Sequence, residues 1–374
     1  AAGRGSGEGD PADVTELRAL YLGARAAREL AVLPEPERVY AGASVFPVNA
    51  GQRPAARPRP VHLLRRGEIT QPREEVGPGV LSCVAGVPFE LAEGADLEEG
   101  LRRAALARWL SHRDNPLTWR VMVNRVWQYH FGRGLVGTPS DFGRMGGEPG
   151  DAALLDWLAV TFRDDLGGSL KGLHRLLLTS RAWRQVSAAP GGGGWWGPVR
   201  QRLDAETFRD SVLRYSGRLD LTMGGPSVKQ FAMSPGIHVT PNVDYGAFDM
   251  DSAGGARRSI YRFLFRTLPD PLMDVLDCPA GDQPAPVRGE SFTSLQAFAL
   301  LNHPFVVRQC GHLAARWGCD GGDSRRGVEG VVRVLLLRAP EADERERFAA
   351  YAGAHGLANL ARVILNSNEF HFVE

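Results

Sequence analysis

From residue 99 onward, apolar positions recur every three to four residues and predict one helix after another. The most informative stretch is 115–147, NPLTWRVMVNRVWQYHFGRGLVGTPSDFGRMGG. Asn115 followed by Pro116 predicts a helix start, because Asn caps free N–H groups and Pro suits the first helical position. Between Leu117 and Phe131 apolar residues fall on nearly every face, the pattern of a core helix. Arg120, Asn124, Arg125 and His130 interrupt that pattern. Polar groups on an enclosed helix need partners, so each is expected to find one. Asp141 is the first carboxylate expected to pair with Arg120 or Arg125 in a buried bidentate contact, and Asp210 the second.

Further helices are predicted over 101–110, 151–164, 169–177, 203–219, 291–302, 304–317, 328–337, 341–351 and 357–365. An amphipathic segment from Asp10 to about Leu33 carries Val14, Leu17, Tyr21 and Ala24 on one stripe and ends at Pro34 and Pro36. Residues 41–98 are rich in Pro and Gly, with a strand-like run at Val61–Leu64 and an apolar stretch at Val80–Phe89. That segment is expected to lie against the helical body without a core of its own. Residues 221–256 form a second irregular region, and the type of the short segments 257–265 and 271–276 stays open. The division is an N-terminal helix (1–40), an irregular arm with one or two short strands (41–98) and a helical body (99–374). The fold class is mainly α, a multi-helix globular domain.

The chain has 374 residues, 43% of them hydrophobic and 23% charged, which suits a globular protein with one large core or two modest ones. A net charge of +1 gives no reason to expect nucleic acid or an anionic membrane as partner. No apolar run approaches the roughly 18 residues of a membrane span. Lys171 and Lys229 are the only lysines; the other basic residues are arginine, suited to planar bidentate partners. Coding bias explains the same skew. The Gly-rich lead beginning at Ala1 suggests a piece of a longer precursor.

Chemical motifs are scarce. Gly132, Gly134 and Gly137 spell G-x-G-x-x-G, but a helix precedes them and Thr138-Pro139 follows, so a helix exit is expected in place of a dinucleotide site. No nucleophile elbow or Walker loop occurs. Four cysteines, Cys83, Cys278, Cys310 and Cys319, form no C-x-x-C, and the nine histidines form no H-E-x-x-H. Cys310 with His312 comes nearest to a transition-metal pair, and Asp244, Asp249 and Asp251 in DYGAFDMD to a calcium loop. Neither carries a full ligand pattern, so no metal and no cofactor is expected. The candidate binding residues are Arg120, Asn124, Arg125, Trp127, His130, Asp141, Arg209, Asp210 and Arg258. Structural clamps are the favoured account of them; the other is a glycan-handling cleft using carboxylates, with Trp127, Trp195 or Trp196 as candidate sugar platforms.

Several collinear blocks carry a family resemblance: RPVHLLRRGE (59–68), residues 115–146, LLDWLA (154–159), SLKGLHRLLLTSRAWRQVS (169–187), RLDAETFRDSVLRYSGRLD (202–220), RRSIYRFLFRTLPDPLMDVLD (257–277) and SLQAFALLN (294–302). From about Val39 the chain resembles the planctomycete-type domain-of-unknown-function family 1553. That resemblance implies the C-terminal part of a large exported protein, extracytoplasmic, with a cytochrome-c-like segment often upstream and an association with sulfatases and polysaccharide use. The haem-attachment motif is missing here, so haem does not carry over, and the family supplies no catalytic residues. The leading expectation is a structural or interaction module whose partners are other domains of the precursor or another protein. The alternatives are a polysaccharide-binding or polysaccharide-processing domain and a docking surface for a cytochrome-like partner.

Overall fold

A computed structural model describes residues 11–32, 60–91, 99–186, 198–236, 241–318 and 324–373. Fourteen α-helices and six short strands appear among them, so the chain is mainly α. Two compact units separate: residues 1–42 with 222–227, and all the rest. The first contains α1 (Pro11–Val32), which follows the amphipathic segment and exposes Leu20, Tyr21 and Leu22.

In the second unit, β1 (Val61–Arg65) and β2 (Glu68–Val76) form an antiparallel hairpin with a register shift. Its two-residue turn is Arg66-Gly67, both with positive φ (53° and 80°). That is the type I′ geometry whose twist matches paired strands, and glycine takes it without strain. The hairpin was expected to lie against the helical body, yet Val61 is 61% and Ile69 80% exposed. Its β-branched residues satisfy strand pairing, not burial. Further along, Val87 is buried, and Leu81–Ala85 share a hollow with residues of the central helix.

Two apolar clusters organise the helices. The first joins α3 (Pro116–Phe131), α4 (Ala152–Val160) and α5 (Leu170–Leu178) through Val123, Trp127, Phe131, Leu158, Phe162 and Leu173. Asn115 caps α3 by accepting from Leu117 N, and Gly132 closes it in the left-handed region at φ 80°. This helix buries one broad face only. Met122 is 39% and Tyr129 67% exposed, so the expectation of full enclosure is corrected. A short π-helical turn, Thr161–Asp165, follows α4.

The second cluster joins α6 (Ala205–Ser216), α8 (Pro271–Val275), α9 (Ser294–Asn302), α10 (Pro304–Trp317), α11 (Ser324–Leu336) and α13 (Leu357–Leu365). Phe208, Val212, Leu213, Val306, Val328 and Leu360 are all but inaccessible there. A Thr293–Gln296 capping box opens α9, three residues after the expected start. Between the clusters run β3 (Gln201–Arg202), paired with Phe372–Val373, and a bond from Gln201 Nε2 to the His130 carbonyl (3.1 Å). The irregular stretch 221–256 holds a small ribbon, Ala232–Ser234 against Asn242–Asp244, and the one-turn helix α7 (Ala253–Ala256). Segment 257–265 contains a 3-10 turn at Ser259–Tyr261.

Candidate functional site

Helix α6 builds a convergence of charge. Asp204 caps it through Thr207 N (2.7 Å), and Gly217 ends it at φ 80°. Helical spacing sets Glu206, Asp210 and Arg214 on one face, while Phe208, Arg209, Val212 and Leu213 point into the core. Across from that face stand residues 258–264 and Arg288, enclosing an open cleft of about 640 Å³.

Its carboxylates Glu206 and Asp210 are closed on partners within the cleft. Arg288 donates from Nη1 to Glu206 Oε2 (2.6 Å) and from Nη2 to Oε1 (2.9 Å), the bidentate geometry that fixes both planes. Asp210 Oδ1 accepts from Ser259 N and Ser259 Oγ, both at 2.7 Å. Arg209 Nη1 and Arg258 Nε lie 3.5 and 3.8 Å from its two oxygens. Arg262, buried, donates to Asp270 Oδ2 (2.7 Å) and Gln230 Oε1 (3.1 Å). Burial works to raise Glu206, but the Arg288 guanidinium outweighs it and holds the carboxyl below its usual range. Burial, reinforced by Glu206, pushes the Cys278 thiol up to about 11, so it is not a ready nucleophile. Two large apolar side chains break the polar lining: Ile260 is 76% and Leu264 51% exposed.

A family model described as PSD1, protein of unknown function (DUF1553), matches residues 102–352. The chain belongs to this family. The match spans α3 through most of α12 (Ala342–His355) and takes in the whole cleft of this DUF1553 domain. No curated protein and no solved structure matches the chain.

Of the residues expected from sequence, Asp210 and Arg258 line this cleft, and buried Arg209 approaches Asp210 from behind it. The other six surround α3. Asn124, fully buried, donates to the Val136 carbonyl (3.1 Å) and accepts from Val136 N (2.8 Å), clamping the returning chain. Arg120 pairs with Asp156 Oδ1 at 2.6 Å, where the side chains are 36% and 51% exposed. Arg125 donates to Ser140 Oγ (3.3 Å). The expected buried pair with Asp141 is therefore corrected: Asp141 Oδ1 accepts from Gly143 N (2.9 Å) within its own turn. The turn after Gly132 returns Val136 to the helix, and α4 packing on α3 supplies Asp156 instead. Arg120, Arg125 and Asp141 do line one hollow beside Leu81–Ala85. Trp127 stacks on Phe131 at 3.9 Å inside the core, so it is no sugar platform. His130 Nε2 meets His174 Nδ1 at 2.7 Å with Trp183 against its ring; burial and His174 lower its pKa. That pairing, 44 residues apart in sequence, had no signal in spacing.

The residues of the two metal alternatives are engaged elsewhere. Asp251 is held by Arg308 and by His312 Nε2 (2.9 Å), and these contacts keep its carboxyl down at about 2. Asp244 caps Gly246 N and Asp249 caps Asp251 N, so the three carboxylates do not converge. Cys310 is buried, its thiol pushed up to about 12 by desolvation. Cys319, Trp195 and Trp196 lie outside the described residues. Among the described residues no three His, Cys, Asp or Glu side chains group to hold a metal. Glu206, Arg288, Ser259, Ile260 and Leu264 escaped the sequence reading. The spacing Glu206–Asp210–Arg214 was the available clue, whereas Arg288 sits in a Pro/Gly-rich loop without periodicity.

Proposed function

We propose that this domain is a non-catalytic interaction module of an exported multidomain protein, and that a protein segment docks in the α6 cleft. One observation carries the reading: exposed Ile260 and Leu264 sit among ion pairs already satisfied within the cleft. An apolar patch gains from being covered, and the Glu206–Arg288 pair beside it is already closed on itself, so covering it strands neither of those two charges. The occupant is then another part of the same precursor or a separate protein, outside the cytoplasm, as the family resemblance suggests. Among the described residues no helix is long and apolar enough to cross a membrane.

Polysaccharide cleavage fits less well. Such chemistry needs one carboxylic acid kept protonated near neutral pH. Among the described carboxyls, every displaced titration is displaced downward: Glu68, Asp164, Glu206, Asp251, Asp277 and Glu344. Tyr215, which lines the cleft, stands edge-on to Phe370 at 6.2 Å between ring centroids.

The test is photo-crosslinking from a benzophenone amino acid at position 260 of the full-length protein. A cross-link to a defined polypeptide segment, lost on Leu264→Asp, is the expected outcome. Saturable binding on a glycan array that Leu264→Asp abolishes, with no polypeptide cross-link, would overturn the reading in favour of a glycan.

A further inference from the structure

Behind the cleft, on the other side of the Arg209–Arg262 layer, lies a second and more apolar pocket of about 180 Å³. Its inner wall includes buried Arg209, Met273 and Phe305; exposed Gly246, Pro271 and Pro304 mark its mouth. A dry apolar cavity of about 150 Å³ holds benzene, so this volume suits a ligand slightly larger than one phenyl ring.

The polar groups at the pocket decide what such a ligand must carry. His303 caps α10 with Nδ1, which accepts from Phe305 N (3.3 Å). That assigns the proton of the neutral ring to Nε2, a donor with no acceptor among the described residues. Burial lowers the imidazole pKa and keeps the ring neutral. Arg209 has five N–H donors. Three go to the Arg257 carbonyl (2.9 Å), Ser259 Oγ (3.2 Å) and the Gly255 carbonyl (2.7 Å).

Its positive charge is only partly answered. Three guanidiniums, Arg209, Arg258 and Arg262, share two carboxylates, Asp210 and Asp270. Asp270 is committed to Arg262 and to capping Leu272 N and Met273 N, and Asp210 to Ser259. Burial, with Arg262 adding to it, pulls Arg209 down to about 10. Tyr245 donates its hydroxyl to the Leu268 carbonyl, and Gln230 bridges Arg262 and the Gly254 carbonyl. The spare capacity is thus donor capacity beside an incompletely neutralised cation.

We infer that this pocket binds a small carboxylate with an apolar body of about one ring, its carboxylate taken by Arg209 and the His303 Nε2–H. A carboxylate accepts both kinds of donor and supplies the missing negative charge. The site is separate from the docking cleft, so it stands or falls independently of the interaction reading.

Titration calorimetry with benzoate, phenylacetate and the neutral benzyl alcohol tests it. Benzoate or phenylacetate should bind saturably at one site in the millimolar range or tighter. Benzyl alcohol should bind at least about tenfold more weakly for want of the charge-assisted contact. Met250→Trp, which fills the pocket from a half-buried lining position, should abolish carboxylate binding while leaving the unfolding temperature close to the parent's. Phe248→Trp is a second filler should the first not fold. No saturable binding by either acid, equal affinity for benzyl alcohol, or binding undiminished in a folded filler variant would each overturn the assignment.

Discussion

Asn124→Ala should destabilise the α3 region by several kcal/mol. The side chain is fully buried and serves both backbone groups of Val136, at 2.8 and 3.1 Å. Alanine leaves one buried N–H and one buried C=O without partners, each costing about 1–3 kcal/mol, so the expected loss is about 2–6 kcal/mol. Urea unfolding followed by tryptophan fluorescence reports it, because Trp119, Trp127 and Trp183 sit in or against this cluster. Gly134 makes the argument sharper. A Cβ there would stand 2.5 Å from the Val136 carbonyl and 2.8 Å from Asn124 Nδ2. Gly134→Ala should therefore cost less in the Asn124→Ala background than alone, a coupling that distant sites do not show. Asn124→Asp keeps the acceptor and replaces the donor with a buried carboxylate facing a carbonyl. Its native-state pKa is raised, so that variant should regain stability as pH falls, opposite to ordinary acid loss. An Asn124→Ala unfolding free energy within about 0.5 kcal/mol of the parent's, or strict additivity with Gly134→Ala, would refute the clamp.

Other outcomes follow from single contacts. His371 is buried, stacked on Phe208 at 5.4 Å, and desolvation with Arg202 nearby lowers its pKa from 6.5 to about 4. Its neutral form belongs to the native state, so stability should fall as pH drops from the unfolded value of 6.5 towards 4. The loss should reach at most about 3 kcal/mol at 1.36 per unit, and a urea series on His371→Phe should show it flattened. Glu344 is held at about 2 against its usual 4.5 by Arg338, which also grips Glu369 at 2.5 and 2.9 Å. That contribution is complete above the usual carboxylate value and fades as pH falls towards 2; Glu344→Gln should remove the pH dependence. Gly330→Ala would place a Cβ 2.3 Å from the Trp317 ring. Overpacking there should lower the calorimetric unfolding free energy by about 1–3 kcal/mol, and an unchanged transition would show that Trp317 yields freely.

Most of the helical frame was legible because its evidence is local. Asn115-Pro116, the period of α10 and the Glu341 start all depend on neighbours within a few residues. The α3 partners were not legible in that way. Asp141 looked nearest along the chain, but Asp156 is delivered by the packing of α4, which no spacing along α3 encodes. Full enclosure of α3 was overread because its apolar residues exceed what one core face takes up, leaving Tyr129 in solvent. Arg209 and Asp210 stood out as charges on an apolar helix; Asp210 lines the cleft, and Arg209 lies in the layer behind it. Arg288 sits in an aperiodic loop, and the His130–His174 contact bridges two helices, so both needed the tertiary structure. The two-core arrangement around α3 and α6 likewise has no local signature, since both sets of helices share one period.

The proposed role requires that a polypeptide cover the α6 cleft. Hydrogen–deuterium exchange comparing the longer protein proposed above with this chain alone measures that directly. Backbone amides of residues 258–264 should exchange more slowly in that longer protein, while those of the exposed hairpin at 61–76 stay unchanged. Equal exchange of 258–264 in both forms, with no partner added that slows it, would contradict the account.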